Sequence, residues 1–198
     1  MAMLSTMTSS PALALADSAW RRGSAALPRV APAVHENEIR APVFSRCLAT
    51  QCAEVLDALG QSGLQAASVC CHTHWKQTLT HNDEKTREEG LQGVLTTLRD
   101  AKAYGATSIL VVPGVVNEEV PYDVAWERSV TQIKKAVPLA KELGVHISIE
   151  NVWNNFLLSP LEAARFVDEF NDPIVGWHFD IGNVINFGWP DQWVRVLG

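Results

Sequence analysis

The stretch Gly144–Phe156, GVHISIENVWNNF, starts as a short apolar β-run and then ends on an acid and an amide, Glu150 and Asn151. Side chains alternate sides along a strand, so Val145, Ile147 and Ile149 share one face, and His146, Ser148 and Glu150 share the other. Ile174–Asn183, IVGWHFDIGN, repeats the pattern. Val175, Trp177 and Phe179 fall on one side, Gly176, His178 and Asp180 on the other. Each run therefore has one bulky apolar face and one small or polar face that finishes in a carboxylate. An open sheet covered by helices on both sides is apolar on both. A barrel whose interior turns polar towards its C-terminal mouth gives the observed asymmetry, and barrel enzymes carry their chemistry at that mouth.

Reading outward from these two runs, strand and helix patterns alternate. Strands are expected near Ala67–Cys71, Ser108–Val112, His146–Glu150 and Ile174–Asp180, with helical patterns between them. Asp83 predicts an N-cap and Gly105 a stop for one helix. Gly144 ends the next, which Pro138 is expected to kink. Ser159 and Pro160 open a third, and PDQWVRVLG begins a fourth. An earlier helix over RCLATQCAEVLDALGQSG is expected to stop at Gly60 and Gly63. Alternation of this kind implies right-handed βαβ crossovers and a parallel sheet. No GxGxxG follows the first strand, which weakens a dinucleotide-binding open sheet. The expected fold class is α/β, a (β/α) TIM-barrel type with parallel strands, incomplete at about four of eight units.

The chain has 198 residues, 47% hydrophobic and 19% charged, with a net charge of -6. That is the composition of a globular protein with one sizeable core. No run of five or more Lys/Arg appears, which argues against a nucleic-acid or membrane-surface partner. Met1 to about Arg40 is rich in Ala, Ser and Pro without apolar periodicity. It is expected to be loosely packed, ahead of a barrel domain over 41–198. The N-terminus lacks the basic residues that precede a signal peptide's apolar run, and Pro28 and Pro32 break the stretch after Arg21-Arg22. Four cysteines, Cys47, Cys52, Cys70 and Cys71, form no CxxC. Reduced thiols in a cytoplasmic protein are the expectation.

Glu150 and Asp180, at neighbouring strand ends, suit a hard or borderline divalent cation and proton transfer. From spacing alone, a second reading stands level with that one: each acid caps a following helix or pairs with a surface lysine.

The words around the acids carry a resemblance. ISIENVWNNFLLSP, HFDIGNVINFGWPDQW, SVCCHTHW and TREEGLQGVLTTLRDAKAYGATSILVVPG resemble the sugar phosphate isomerase/epimerase superfamily of xylose-isomerase-like TIM barrels. They are most similar to the L-ribulose-5-phosphate 3-epimerase and hexulose-6-phosphate isomerase relatives. The resemblance covers about Thr50–Gly198. It implies a metal-dependent isomerase or epimerase acting on a sugar or sugar phosphate through an enediolate, with activity expected to be impaired in this chain, which looks truncated against the family barrel. It implies a divalent ion (Mn, Mg, Co or Zn) and four ligands, Glu, Asp, His and Glu, on successive strands.

Glu150 matches the first ligand, and also the catalytic base, and Asp180 the second. The other two belong to the last two strands of the family barrel, past Gly198, and the first two family strands have no clear counterpart. By the same resemblance His72, Lys76 and Asn183 are substrate-binding candidates. For His72 and Lys76 the competing reading is an exposed polar loop. His178 is read as a buried, hydrogen-bonded residue below Asp180. Trp153, Trp189 and Trp193 either wall a sugar site or pack between helices and barrel.

Two other functions are weighed. One is a non-catalytic remnant or sugar-binding fragment. The other is an endonuclease IV-type phosphodiesterase, which six histidines and the acidic charge disfavour. Unclosed strand edges would favour a homo-oligomer.

Overall fold

The structure, a computed structural model, describes residues 40–44 and 49–198. The expectation for Met1–Arg40 lies outside these residues except at Arg40, and so does the one for Cys47. Five parallel strands lie in the order β1-β2-β3-β4-β5: β1 Arg40–Phe44, β2 Gln65–Cys70, β3 Ser108–Val111, β4 His146–Ile149 and β5 Val175–Trp177. Between and after them come α1 Ala49–Ser62, α2 Glu84–Tyr104, α3 Tyr122–Leu143, α4 Pro160–Asp168, the short α5 Ile181–Val184, and α6 Pro190–Leu197.

Each crossover steps to the next neighbour in the same direction. A doubly wound sheet would reverse its order at a switch point, and this one does not. Right-handed crossovers that never reverse put the helices on one side of the sheet, the arrangement of a barrel wall.

The four expected strands are present as β2 to β5, and a fifth, β1, precedes them. β1 pairs parallel with β2 from Arg40↔Gln65 to Phe44↔Cys70, with a register shift between Ala41 and Pro42. One helix stop, Gly60, needed revision. α1 runs through Gly60 to Ser62 and ends at Gly63, whose φ of 68° is left-handed. α3 contains Pro138 and ends where expected, at Leu143 with Gly144 as its cap.

The other punctuation follows local chemistry. Asp83 Oδ2 accepts the Thr86 amide at 2.8 Å, and Gly105 caps the far end of α2 in a left-handed conformation. The Ser159 hydroxyl accepts the Glu162 amide at the start of α4, with Pro160 as first residue. An orphan donor or carbonyl is satisfied in each case.

The two strand faces separate as the alternation implies. Val69, Ile109, Val111, Ile147, Ile149, Val175 and Trp177 are buried under the helices. On the opposite, concave face Ser108 registers with both Ser68 and His146, and Ser148 with both Leu110 and Gly176. Behind the sheet, Trp126 on α3, Phe156, and Phe166 and Phe170 around α4 form an edge-to-face cluster with centroids 5.1–6.1 Å apart. That cluster braces the chain that follows β4. Among the described residues no helix is long and apolar enough to cross a membrane.

Candidate functional site

Parallel strands deliver their C-terminal ends to one rim, and the sequence candidates collect there. Glu150 follows β4 directly, its amide donating to the Val111 carbonyl at 3.1 Å. Asp180 follows β5 by three residues. There the chain has already turned, and Asp180 Oδ1 accepts the Gly182 amide at 2.7 Å and the Asn183 amide at 3.4 Å as the N-cap of α5. This turn is why β5 ends at Trp177 rather than at Asp180. The cap reading therefore holds for Asp180. Glu150 caps no helix.

Asn183 joins the two acids. Its Nδ2 donates to Glu150 Oε1 at 3.2 Å and to Asp180 Oδ2 at 3.1 Å. One turn of α5 places the amide there, three residues beyond the cap. Glu150 is only 6% exposed. Burial pushes its carboxyl up to about 7. The neighbouring Asp180 charge and a hydrogen bond with the Asp180 carboxyl, which needs a proton, act in the same direction, and the Asn183 amide opposes them. Two like charges sharing a site behave this way.

Cys70, at the end of β2, feels the same crowding. Its thiol is raised to about 11 by burial, then by Cys71 and by Glu150. Among the described residues Cys52, Cys70 and Cys71 form no disulfide. His178 is half-buried rather than buried, and burial lowers its pKa against the pull of Asp180.

Asp180→Asn separates these causes. The asparagine oxygen preserves the cap, while the charge beside Glu150 disappears. The Glu150 titration midpoint should fall from about 7 yet stay above the ordinary 4.5, because burial, the largest cause, remains. Carboxyl ¹³C NMR reads this directly. An unmoved midpoint would show that the two acids do not interact.

His72 and Lys76 lie on the same rim but are exposed. They line a crevice of about 610 Å³ between the turn after β2 and α2, together with Thr73, Trp75 and Gln92. His74, beside them, is buried, and its pKa falls to about 4 through burial and then His72. Lys76 also reaches a second cleft of about 280 Å³, bounded by Trp75, His81, Asn117 and Trp153. Of the tryptophans flagged from sequence, Trp193 is a core residue packed at a tilt against Trp177, centroids 6.0 Å apart. Trp153 and Trp189 are 74% and 72% exposed.

Sequence reasoning missed Cys70 and the second cleft. The cleft joins three loops through contacts between residues about 40 apart. Its only local signal is the crowding of Trp and Asn in WNN at Trp153–Asn155.

A divalent cation requires oxygen donors brought to one point. Glu150 and Asp180 bring carboxylate oxygens to a single bridging amide, that of Asn183. Among the described residues no group of three or more His, Cys, Asp and Glu is placed to hold a metal.

The fold has known counterparts. A curated 2-epi-5-epi-valiolone 7-phosphate 2-epimerase from an Actinoplanes species is 26% identical over 106 residues, 54% of this chain and 37% of that protein. A solved D-tagatose 3-epimerase-like protein superposes with a TM-score of 0.73 at 15% identity, over 82% of this chain and 63% of that one. A Mycobacterium smegmatis xylose isomerase-like TIM barrel protein in complex with magnesium gives a TM-score of 0.64 at 15% identity, over 80% and 58%. The chain thus spans less than two thirds of each. The family model for the xylose isomerase-like TIM barrel matches residues 30–198, the span that contains all five strands and the Glu150–Asn183–Asp180 cluster, and the chain belongs to that family.

Proposed function

We propose that this chain carries part of the site of a metal-dependent isomerase or epimerase of a sugar or sugar phosphate. The observation that carries it is the pair of strand-end carboxylates, Glu150 and Asp180, held together by the Asn183 amide. The names of its relatives, a cyclitol phosphate epimerase and a ketose epimerase-like protein, support the reaction class.

Glu150 is the base. Its raised pKa suits a group that must take a proton from carbon and give one back near neutral pH. Abstraction beside the carbonyl leaves an enediolate. Asp180, fixed by two backbone amides of α5, keeps its orientation whatever Glu150 does. Asn183 holds Glu150 towards Asp180 when the carboxylates would otherwise repel. Glu150 and Asp180 would hold a divalent cation (Mn, Mg, Co or Zn), which when bound supplies positive charge against the charge developing on the substrate oxygens. His72 and Lys76 offer an imidazole and an ammonium to a hydroxyl or phosphate at the rim. The edge of β5, which pairs with no further strand among the described residues, supports a homo-oligomer, and a cytoplasmic location belongs to the same reading.

Mn²⁺ titration tests the centre. One ion per chain is expected, bound weakly, on the order of 10⁻⁴ M or above for so few protein ligands, and lost in both Glu150→Gln and Asp180→Asn. With Mn²⁺ present, D-tagatose and ribulose 5-phosphate in D₂O should exchange the proton beside the carbonyl. Binding that survives both substitutions would sink the reading. A sugar-binding protein without turnover is the second reading, favoured by the lack of a third ligating group among the described residues. Mn²⁺ binding with no exchange of either sugar would select it.

A further inference from the structure

The 280 Å³ cleft is a built feature of the rim, and its lining includes none of Glu150, Asp180 or Asn183. Three loops make it, those after β2, β3 and β4, and side chains tie them together. Thr80 Oγ1 donates to the Val115 carbonyl at 3.1 Å and accepts the Val115 amide at 3.0 Å. Asn82 Nδ2 donates to the Glu119 carbonyl at 2.9 Å. Asn154, itself 2% exposed, donates through Nδ2 to the Gly114 carbonyl at 2.6 Å, and its own carbonyl accepts the Val116 amide at 3.0 Å. Arg128 clamps the β2 loop from behind, donating to the Thr80 carbonyl at 3.0 Å and to Asn82 Oδ1 at 2.8 Å. A cleft fixed in this way needs little ordering when a ligand enters.

Its walls are unusual for a solvent-facing surface. Trp75 is 57% exposed and Trp153 is 74% exposed, and both line the same cleft. Tryptophan presents a flat apolar face with a polar edge, a match for the C–H face of a sugar ring. Asn117 and His81 supply polar edges beside them. Lys76 and Glu119 give the lining one charged side chain of each sign. A phosphate site would need a surplus of positive charge or convergent donors. The volume lies at the small end for ligand pockets, near about 300 Å³, which suits one ring rather than a whole ligand. The lining begins three residues beyond Glu150 along the chain, on the same rim.

We propose that this cleft is a subsite for a second, uncharged sugar ring, so that the substrate class is a keto sugar carrying a glycosyl group. The inference rests on the carboxylate pair being the reacting site. Trp75 and Trp153 stack on the distal ring and set specificity; they take no part in proton transfer.

The test compares lactulose, a galactosyl ketose, with D-fructose as probes, using ligand-observed NMR on the full chain with Mn²⁺. Lactulose should bind about tenfold more tightly, the factor that aromatic stacking contacts supply. Trp153→Ala and Trp75→Ala should each erase most of that advantage and leave fructose affinity unchanged, and Trp153→Phe should retain part of it. Both side chains are exposed, so the variants should fold, and circular dichroism verifies this. Mn²⁺ binding reads the carboxylates separately and should be identical in all three variants. Equal affinity for the two sugars, or an advantage that survives both alanine variants, overturns the subsite. Neither sugar binding while Mn²⁺ still binds does the same and leaves the carboxylate pair standing. Loss of Mn²⁺ binding in the parent chain overturns the carboxylate reading.

Discussion

Glu150→Gln is expected to abolish proton exchange from substrate while making the metal-free protein more stable at alkaline pH. Loss of the base should lower exchange by about a thousandfold, the middle of the range for one general acid–base group. The stability gain follows from the raised pKa. The folded protein holds the Glu150 proton up to about pH 7, whereas the ordinary carboxyl releases it near 4.5. Between those values the folded state binds more protons than the unfolded chain, so stability falls as pH rises through the window. Each pH unit costs about 1.4 kcal/mol, so Glu150 ionisation removes on the order of 3 kcal/mol by pH 8. Glutamine stays neutral, and its oxygen still accepts the Asn183 amide. Urea denaturation at pH 4.5 and pH 8, with chelator, should show the variant ahead of the parent at pH 8 and level with it at pH 4.5. A variant as pH-dependent as the parent would show that Glu150 ionises freely. The residue proposed for the chemistry is also a weak point of the fold, and removing it separates function from stability.

The second large effect lies behind the sheet. Phe166 is fully buried and meets Trp126, Phe156 and Phe170 edge-to-face at 5.1, 5.7 and 5.6 Å. Phe166→Ala should cost about 3–5 kcal/mol, combining lost burial with the cavity left behind. That is a large part of the stability of a domain this size. Phe166→Leu, which keeps most of the volume, should cost about 1.5 kcal/mol or less. Chemical denaturation measures both. Similar losses for the two would mean that ring geometry, rather than filled space, holds α3 and α4 together.

Much of this fold is written locally. Asp83, Gly105, Gly144, Ser159 and Pro160 mark helix ends because capping depends on a few adjacent residues. The alternation in β4 and β5 separates the covered face from the concave one and brings Glu150 and Asp180 to one rim. β1 escaped because RAPVF carries a proline, which withholds a ladder donor and shifts the register at Ala41/Pro42. Proline is tolerated at an edge strand, so the residue that hides the strand also fits its place. Gly60 misled because glycine inside a helix costs only about 1 kcal/mol against alanine. The bridge through Asn183 and the loop ties through Thr80, Asn82 and Asn154 were illegible, since their partners stand some 30 to 40 residues away in sequence. The alternative roles of Asp180, cap or ligand, are not exclusive: two backbone amides hold Oδ1 while Oδ2 faces Asn183.

Barrel scaffolds ordinarily diversify one connection at a time, each loop free to lengthen or change sequence while the strands stay put. The stapled rim removes that freedom. Gly114 stands so close to Thr80 that an added Cβ would lie 2.3 Å from Thr80 Cγ2, and Asn154 depends on the Gly114 carbonyl for its partner. A change in any one of the three connections therefore asks for matching changes in the other two. They can be inherited, exchanged between homologues or redesigned only as a set, and a single-loop graft onto this scaffold would leave buried amides unanswered in the loops it did not replace.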